Sequence, residues 1–245
     1  MKNSNRILTI VTFVALLGTS CLAQKMSEER YFDKTEMPNL LLTLPMHPKF
    51  GSAEFEADSI RYVWGKEQRK NEERAAIAKS DAVYSLETIQ NIFSIPLGLQ
   101  KSPTETPQIY KLLLDALPTC ESICTMPKAH YMRKRPFMYF DEPTLTPDDE
   151  KFLRVNGSYP SGHTVFGYSA ALLLAEINPA AQDTILARGY MYGESRVIVG
   201  AHWQSDVNAG YMAAAMAVAK LHTNKRFLKQ MEKAKAEFVK KSKKK

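Results

Sequence analysis

The chain reads as an all-α protein, a helical bundle in one domain, on three observations. Apolar residues recur at roughly three- to four-residue steps along most of it, as at Val83, Leu86, Ile89 and Phe93. Proline and glycine fall mainly between such stretches, at Pro96, Gly98, Pro107, Pro118 and Pro179. Strand signals are scarce, because no alternating run is bounded by a hairpin dipeptide. A length of 245 residues with 44% hydrophobic content is enough for a sizeable core.

The elements follow in order. Lys2 and Arg6 precede an apolar stretch, Ile7 to Gly18, too short to span a bilayer and right for a signal h-region. Cys21-Leu22-Ala23 offers small residues at a cleavage site, so residues 1–23 are expected to be a signal peptide and Gln24 the new terminus. A rival reading makes Cys21 a lipidated cysteine, although Gly18 fits a lipobox poorly. Residues 52–93 are helical, and Pro96 and Gly98 close that region. Pro107 opens a helix over Ile109 to Leu117, and Pro118 is expected to stop it. Residues 137–159 look like loop. Val165 to Ile177 is apolar nearly all round, as a buried helix would be. Ala180 to Val199 and Ser205 to Leu221 complete the helical body, residues 24–224.

The net charge of +7 is unevenly spread. The leader carries +2 and residues 225–245 carry +8, which leaves −3 for the body. A lysine-rich end could touch nucleic acid or anionic lipid, but its plainer reading is a solvated, frayed terminus. No nucleic acid is required as a partner, and no later apolar run is long enough for integral membrane contact. Cys120 and Cys124 are close enough in sequence to pair, and export would permit oxidation. No cofactor and no metal is expected.

Three polar clusters carry the chemistry. The first is Lys128-Ala-His-Tyr-Met-Arg-Lys-Arg135-Pro136, the second Pro160-Ser161-Gly162-His163, and the third Ser195-Arg196 followed by His202 and Asp206. A transferring phosphoryl group spreads negative charge over three oxygens and needs placed cations, donors, a nucleophile and a proton source. Lys128, Arg135 and Arg196 could supply the cations. Ser161 and Gly162 precede the buried helix, so a hydroxyl and backbone N–H groups would meet an anion at a helix start. His202 and Asp206 are four apart, and a carboxylate on one imidazole nitrogen leaves the other free to attack. His163 suits the acid that protonates the leaving alcohol. Taken singly, each cluster also fits something plainer: a helix start, a surface hydrogen bond, a solvated basic face. Joint occurrence in one order favours chemistry. His47 and His222 lack such company and read as structural, while His130 lies inside the first cluster and could line the pocket rim.

These residues resemble the three-part signature of the type 2 phosphatidic acid phosphatase superfamily, K-x6-R-P, P-S-G-H and S-R-x5-H-x3-D, with every defining position filled. Gly157 to Thr164, Tyr131 to Phe137 and Gly200 to Asp206 look like the secreted bacterial class A non-specific acid phosphatases. The resemblance covers roughly residues 55–222. It implies the all-α bundle shared with vanadium-dependent haloperoxidases and metal-independent hydrolysis of small-molecule phosphomonoesters through a phosphohistidine on His202. Asp206 would orient that imidazole and His163 would be the acid. Lys128, Arg135, Ser161, Gly162 and Arg196 would bind the phosphate. It further implies a periplasmic, vanadate-inhibited homodimer or larger homo-oligomer, of broad substrate range and with some phosphotransferase activity. A haloperoxidase would use the same pocket for vanadate, but such chains are usually much longer. An integral-membrane lipid phosphatase is disfavoured by the missing spans. A third reading is a binding protein that uses its lysine-rich end.

Overall fold

The computed structural model describes residues 28–99 and 102–243, so the leader and Cys21 lie outside the described residues. Twelve α-helices and three short 3₁₀ turns occur among them, and no strand. The helices are α1 (Leu40–Thr43), α2 (Ala53–Gln68), α3 (Glu72–Ala82), α4 (Leu86–Leu97), α5 (Pro107–Glu121), α6 (Thr125–Tyr131), α7 (Pro136–Phe140), α8 (Glu150–Leu153), α9 (Gly162–Ile177), α10 (Gln182–Val199), α11 (Gln204–Leu221) and α12 (Lys225–Ser242). The all-α expectation holds.

Short polar side chains set the helix starts. Ser52, Asn71, Ser85, Ser161 and Asn224 each accept a backbone N–H of the first turn, which satisfies a donor with no carbonyl inside the helix. Two of these caps cut the expected helical region at 52–93 into α2, α3 and α4. Pro118 does not stop α5, which runs on to Glu121. Proline there removes one hydrogen bond near the helix end, and burial of Leu117, Thr119 and Cys120 keeps the turn helical. The stretch 137–159 is not all loop, since α7 and α8 lie in it.

The apolar helix α9 is the axis of the bundle. It packs against α10, α11, α5 and α4, and its Val165, Ala170, Ala171, Leu173 and Leu174 are fully buried. Residues 225–242, expected to fray, instead form α12 against α5. Phe227, Met231 and Ala234 recur at three- and four-residue steps on its buried face. Burying a side chain the size of Phe227 favours docking by about 2 kcal/mol. Cys120 and Cys124 are free, fully buried thiols, and burial pushes the Cys120 thiol up to about 12. No described helix is long and apolar enough to cross a membrane.

α9 and α11 begin at one end of the bundle, and α10 ends there. Two smaller apolar clusters flank this end. One joins Ala82, Phe137, Leu153 and Ile198, and the other joins Phe55, Tyr62 and Trp203. They hold the segment 132–160 over the three helix ends.

Candidate active site

Ser161 is the N-cap of α9. Its Oγ accepts the Thr164 N–H at 3.3 Å and the Thr164 hydroxyl at 2.9 Å. Both contacts use its lone pairs, so its own proton is left to donate. The N–H groups of Gly162 and His163 occupy the first two helical positions, where no carbonyl within the helix can reach them. The Ser161 N–H donates to the Asp206 carbonyl at 3.0 Å, which ties the start of α9 to that of α11. Gly210 permits this closeness, because a Cβ there would come within 2.7 Å of Thr164 Cβ.

Arg196 lies in the last turn of α10. Gly200 then takes a left-handed conformation, φ 88°, and turns the chain back so that the Ala201 and His202 N–H groups bond the Arg196 carbonyl. His202 therefore sits in the turn before α11 and not on a shared helix with Asp206. The four-residue spacing still pairs them. Asp206 Oδ2 accepts the Trp203 N–H at 2.9 Å and lies 3.3 Å from His202 Nδ1. On its other side, His202 Nε2 lies 3.0 Å from Arg135 Nη1. A guanidinium can only donate, so Nε2 carries the lone pair and Nδ1 the proton.

Lys128 on α6 donates to the Gly157 carbonyl at 2.7 Å. Arg135 donates to the carbonyls of Leu153 (2.9 Å), Asn156 (3.0 Å), Ala201 (2.9 Å) and Gly157 (3.4 Å). Only glycine fits at 157, because a Cβ there would fall on the Lys128 carbonyl oxygen. His163 Nε2 lies 3.0 Å from the Ala82 carbonyl, which fixes the proton on Nε2 and leaves Nδ1 as its other nitrogen. Its ring packs against those of Tyr84 and Tyr192.

The pocket is electrically unusual. Burial, and then Arg135, lowers Lys128 to about 8, and burial lowers Arg135 to about 9. Arg196 is lowered by burial too, and its Nε and Nη1 have no hydrogen-bond partner. Burial and the neighbouring cations hold both His202 and His163 well below the ordinary imidazole value, so both are neutral. The structure thus brings Lys128, Arg135, Ser161, Gly162, His163, Arg196, His202 and Asp206 to one end of the bundle. Ser195 lies behind it, donating to Asp81 at 2.7 Å. His130 is exposed and lines a separate apolar groove by α1. His47 packs on Tyr131 and Tyr159, and His222 contacts the Val218 carbonyl and Glu176.

Sequence reasoning missed Arg133 and Asp58. Arg133 bridges Asp206 and Asp58, and all three side chains are buried. A signal existed for Asp58: it falls between Phe55 and Tyr62 on the buried face of α2, where an apolar residue is expected. Among the described residues, no three His, Cys, Asp or Glu side chains converge as metal ligands.

Buried cations short of counter-charges, beside two neutral imidazoles, define a helical protein suited to hold a tetrahedral oxyanion and react with it. The PAP2 superfamily model matches residues 111–229. The chain is 43% identical over 211 residues to a non-specific acid phosphatase of Providencia stuartii, covering 86% of this chain and 85% of that protein. It is 39% identical over 204 residues to the non-specific acid phosphatase of Salmonella typhimurium (83% and 81%), and 38% over 200 residues to an acid phosphatase of Zymomonas mobilis (82% and 75%). The chain belongs to the non-specific acid phosphatases of the PAP2 superfamily. It is therefore an enzyme of the acid phosphatase class.

Two measurements test the pocket. Arg196→Met replaces a desolvated charge by an apolar side chain of similar reach. The empty protein should become more stable by about 1–4 kcal/mol in urea unfolding, while stabilisation by inorganic phosphate disappears. Lys128 sets a pH dependence. Lysine ordinarily titrates at 10.5 and here at about 8, so the empty pocket loses this ammonium above pH 8. Phosphate affinity should fall by about tenfold per pH unit from there, with protons taken up on binding in calorimetry.

Proposed function

We propose that the enzyme hydrolyses phosphomonoesters without a metal, through a phosphohistidine on His202. The observation that carries this reading is the Arg196 guanidinium, buried with two nitrogen atoms unpartnered beside the neutral His202. A buried donor without an acceptor is costly, and a phosphate oxygen would relieve it.

Lys128, Arg135 and Arg196 hold the phosphoryl oxygens, with the Ser161 hydroxyl and the Gly162 and His163 N–H groups completing the cradle. As phosphate enters, Arg135 Nη1 turns from His202 Nε2 to an oxygen and frees the lone pair. Nε2 attacks phosphorus and the bond to the leaving oxygen breaks. His163 gives a proton from Nδ1 to that oxygen, and the alcohol departs. Water then attacks phosphorus, its proton passes to His163, the P–N bond breaks and phosphate leaves. An alcohol in place of water would give phosphotransfer.

Acidic conditions favour this cycle. In the empty pocket His163 is neutral, so it must gain a proton before it can act as an acid. A monoanionic ester can bring that proton, and its negative charge holds the resulting imidazolium. Phosphoester monoanions predominate below about pH 6, so turnover falls as pH rises beyond it. Export to the periplasm is supported by the charged and apolar pattern of residues 1–23. A broad substrate range and a homo-oligomeric state rest on the family resemblance.

The nucleophile is tested by trapping. Protein quenched in alkali during turnover of ³²P-labelled substrate should carry label. His202→Ala should carry none and lose activity by about 10⁴-fold or more. Near-normal hydrolysis by that variant would overturn the scheme. The acid is tested by leaving group. His163→Ala should lose about 10²- to 10⁴-fold with alkyl phosphates and far less with p-nitrophenyl phosphate, whose phenolate leaves unaided. Equal losses for both substrates would remove His163 from that role.

A further inference from the structure

Asp206 has a second partner network on the side away from His202. Arg133 Nη1 donates to Asp206 Oδ1 at 2.5 Å and to Ser205 Oγ at 2.7 Å, and Arg133 Nη2 donates to Asp58 Oδ2 at 2.8 Å. Asp58 also accepts the Ser205 N–H at 2.8 Å and the Ser205 hydroxyl at 2.5 Å. The side chains of Arg133 and Asp206 are fully buried and that of Asp58 is 3% exposed.

We propose that Arg133 and Asp58 are positioning residues for the phosphohistidine chemistry, acting through Asp206. Two features require both. Arg133 fixes Oδ1, which leaves Oδ2 aimed at His202 Nδ1. Arg133 alone would also cancel the Asp206 charge. Asp58 supplies the second carboxylate, so the trio Asp58–Arg133–Asp206 keeps a net negative charge beside His202. That charge stabilises the imidazole as it becomes cationic during attack on phosphorus. Asp58 comes from α2, some 150 residues away in sequence from Asp206, and it caps the first turn of α11 at Ser205. The orientation of the nucleophile thus depends on how α2 docks. A purely structural role would need no carboxylate pair, since an apolar contact between α2 and α11 would serve.

This inference rests on His202 as nucleophile and Asp206 as its partner, and a double-mutant cycle separates the two ideas. Asp58→Asn keeps the shape and the bond from Ser205 but removes the charge. Outer-shell partners of metal-bound histidines typically matter by about 10- to 100-fold; by analogy, kcat should fall in about that range with KM changed less than about twofold. Placed on Asp206→Asn, the same change should cost less than about twofold, because its route to His202 is already cut. Arg133→Lys provides a second entry to the cycle if Asp58→Asn folds poorly. One ammonium cannot span both carboxylates as the fork does, so it should show the same selective loss and the same dependence on Asp206. Full, independent losses in the Asp206→Asn background would overturn the proposal. So would activity that tracks only the folded fraction in thermal melts. If instead His202→Ala still becomes labelled by substrate, the underlying reading fails and the cycle is not at fault.

Discussion

Lys128 and Arg135 are held in this protein by neutral acceptors. The carbonyls of Leu153, Asn156, Gly157 and Ala201 orient these two side chains without cancelling either charge. Arg196 stands beside them with two nitrogen atoms unpartnered. Desolvation works against all three, and the drop of Lys128 to about 8 amounts to roughly 3 kcal/mol of resistance to charging. The bundle must be stable enough to carry this positive pocket when it is empty, and a phosphate group entering it would meet cations already in place, apart from the Arg135 contact to His202 that it must displace. Preorganised charges and donors of that kind are usually the largest single term in enzymatic rate enhancement.

The architecture provides the pocket by placing helix ends rather than helix faces at one point. The start of α9 contributes backbone donors and the Ser161 hydroxyl, the end of α10 contributes Arg196, and the turn into α11 contributes His202. Four cations between Lys128 and Arg135 are then sorted by the chain. Met132 ends α6 in a left-handed conformation, φ 40°, and the chain stays non-helical up to Arg135, which is extended. Burial alternates along this stretch, so Arg133 and Arg135 face inward and Lys134 stays outside. Arg133 enters a nest of carboxylates and becomes neutralised, while Arg135 enters a nest of carbonyls and does not.

That sorting marks what was legible in the sequence. Helix content, the buried α9 and the convergence of the three clusters could be read from periodicity and motif order. The local breaks could not, because the caps at Asn71 and Ser85 look like ordinary polar residues until the chain turns there. Pro118 misled because burial of its neighbours outweighs one missing hydrogen bond. The lysine-rich end misled in the opposite way, since its composition hides the stripe Phe227, Met231, Ala234. Arg133 was visible as a cation but not as a counter-ion, for its acceptor Asp58 comes from a helix with no chemical motif. The pairing of distant charges across a fold leaves no local trace in one chain.

The two charged environments meet across a single imidazole. His202 Nε2 faces the positive pocket of Lys128, Arg135 and Arg196, and His202 Nδ1 faces a carboxylate whose network stays negative. An anion at Nε2 therefore approaches a ring whose far nitrogen is already prepared to hold a proton against negative charge. The cations in front of Nε2 work against a positive ring, so support for one can come only from the carboxylate side at Nδ1. Reversing either side would break this. Under the proposed phosphohistidine scheme, a neutral network behind Nδ1 would leave the phosphorylated imidazole unsupported among buried cations, and a neutral pocket in front of Nε2 would leave the phosphate oxygens unheld. Burial of Arg133 between two carboxylates, costly as an isolated ion pair, makes sense as the device that keeps these opposite signs on opposite nitrogens.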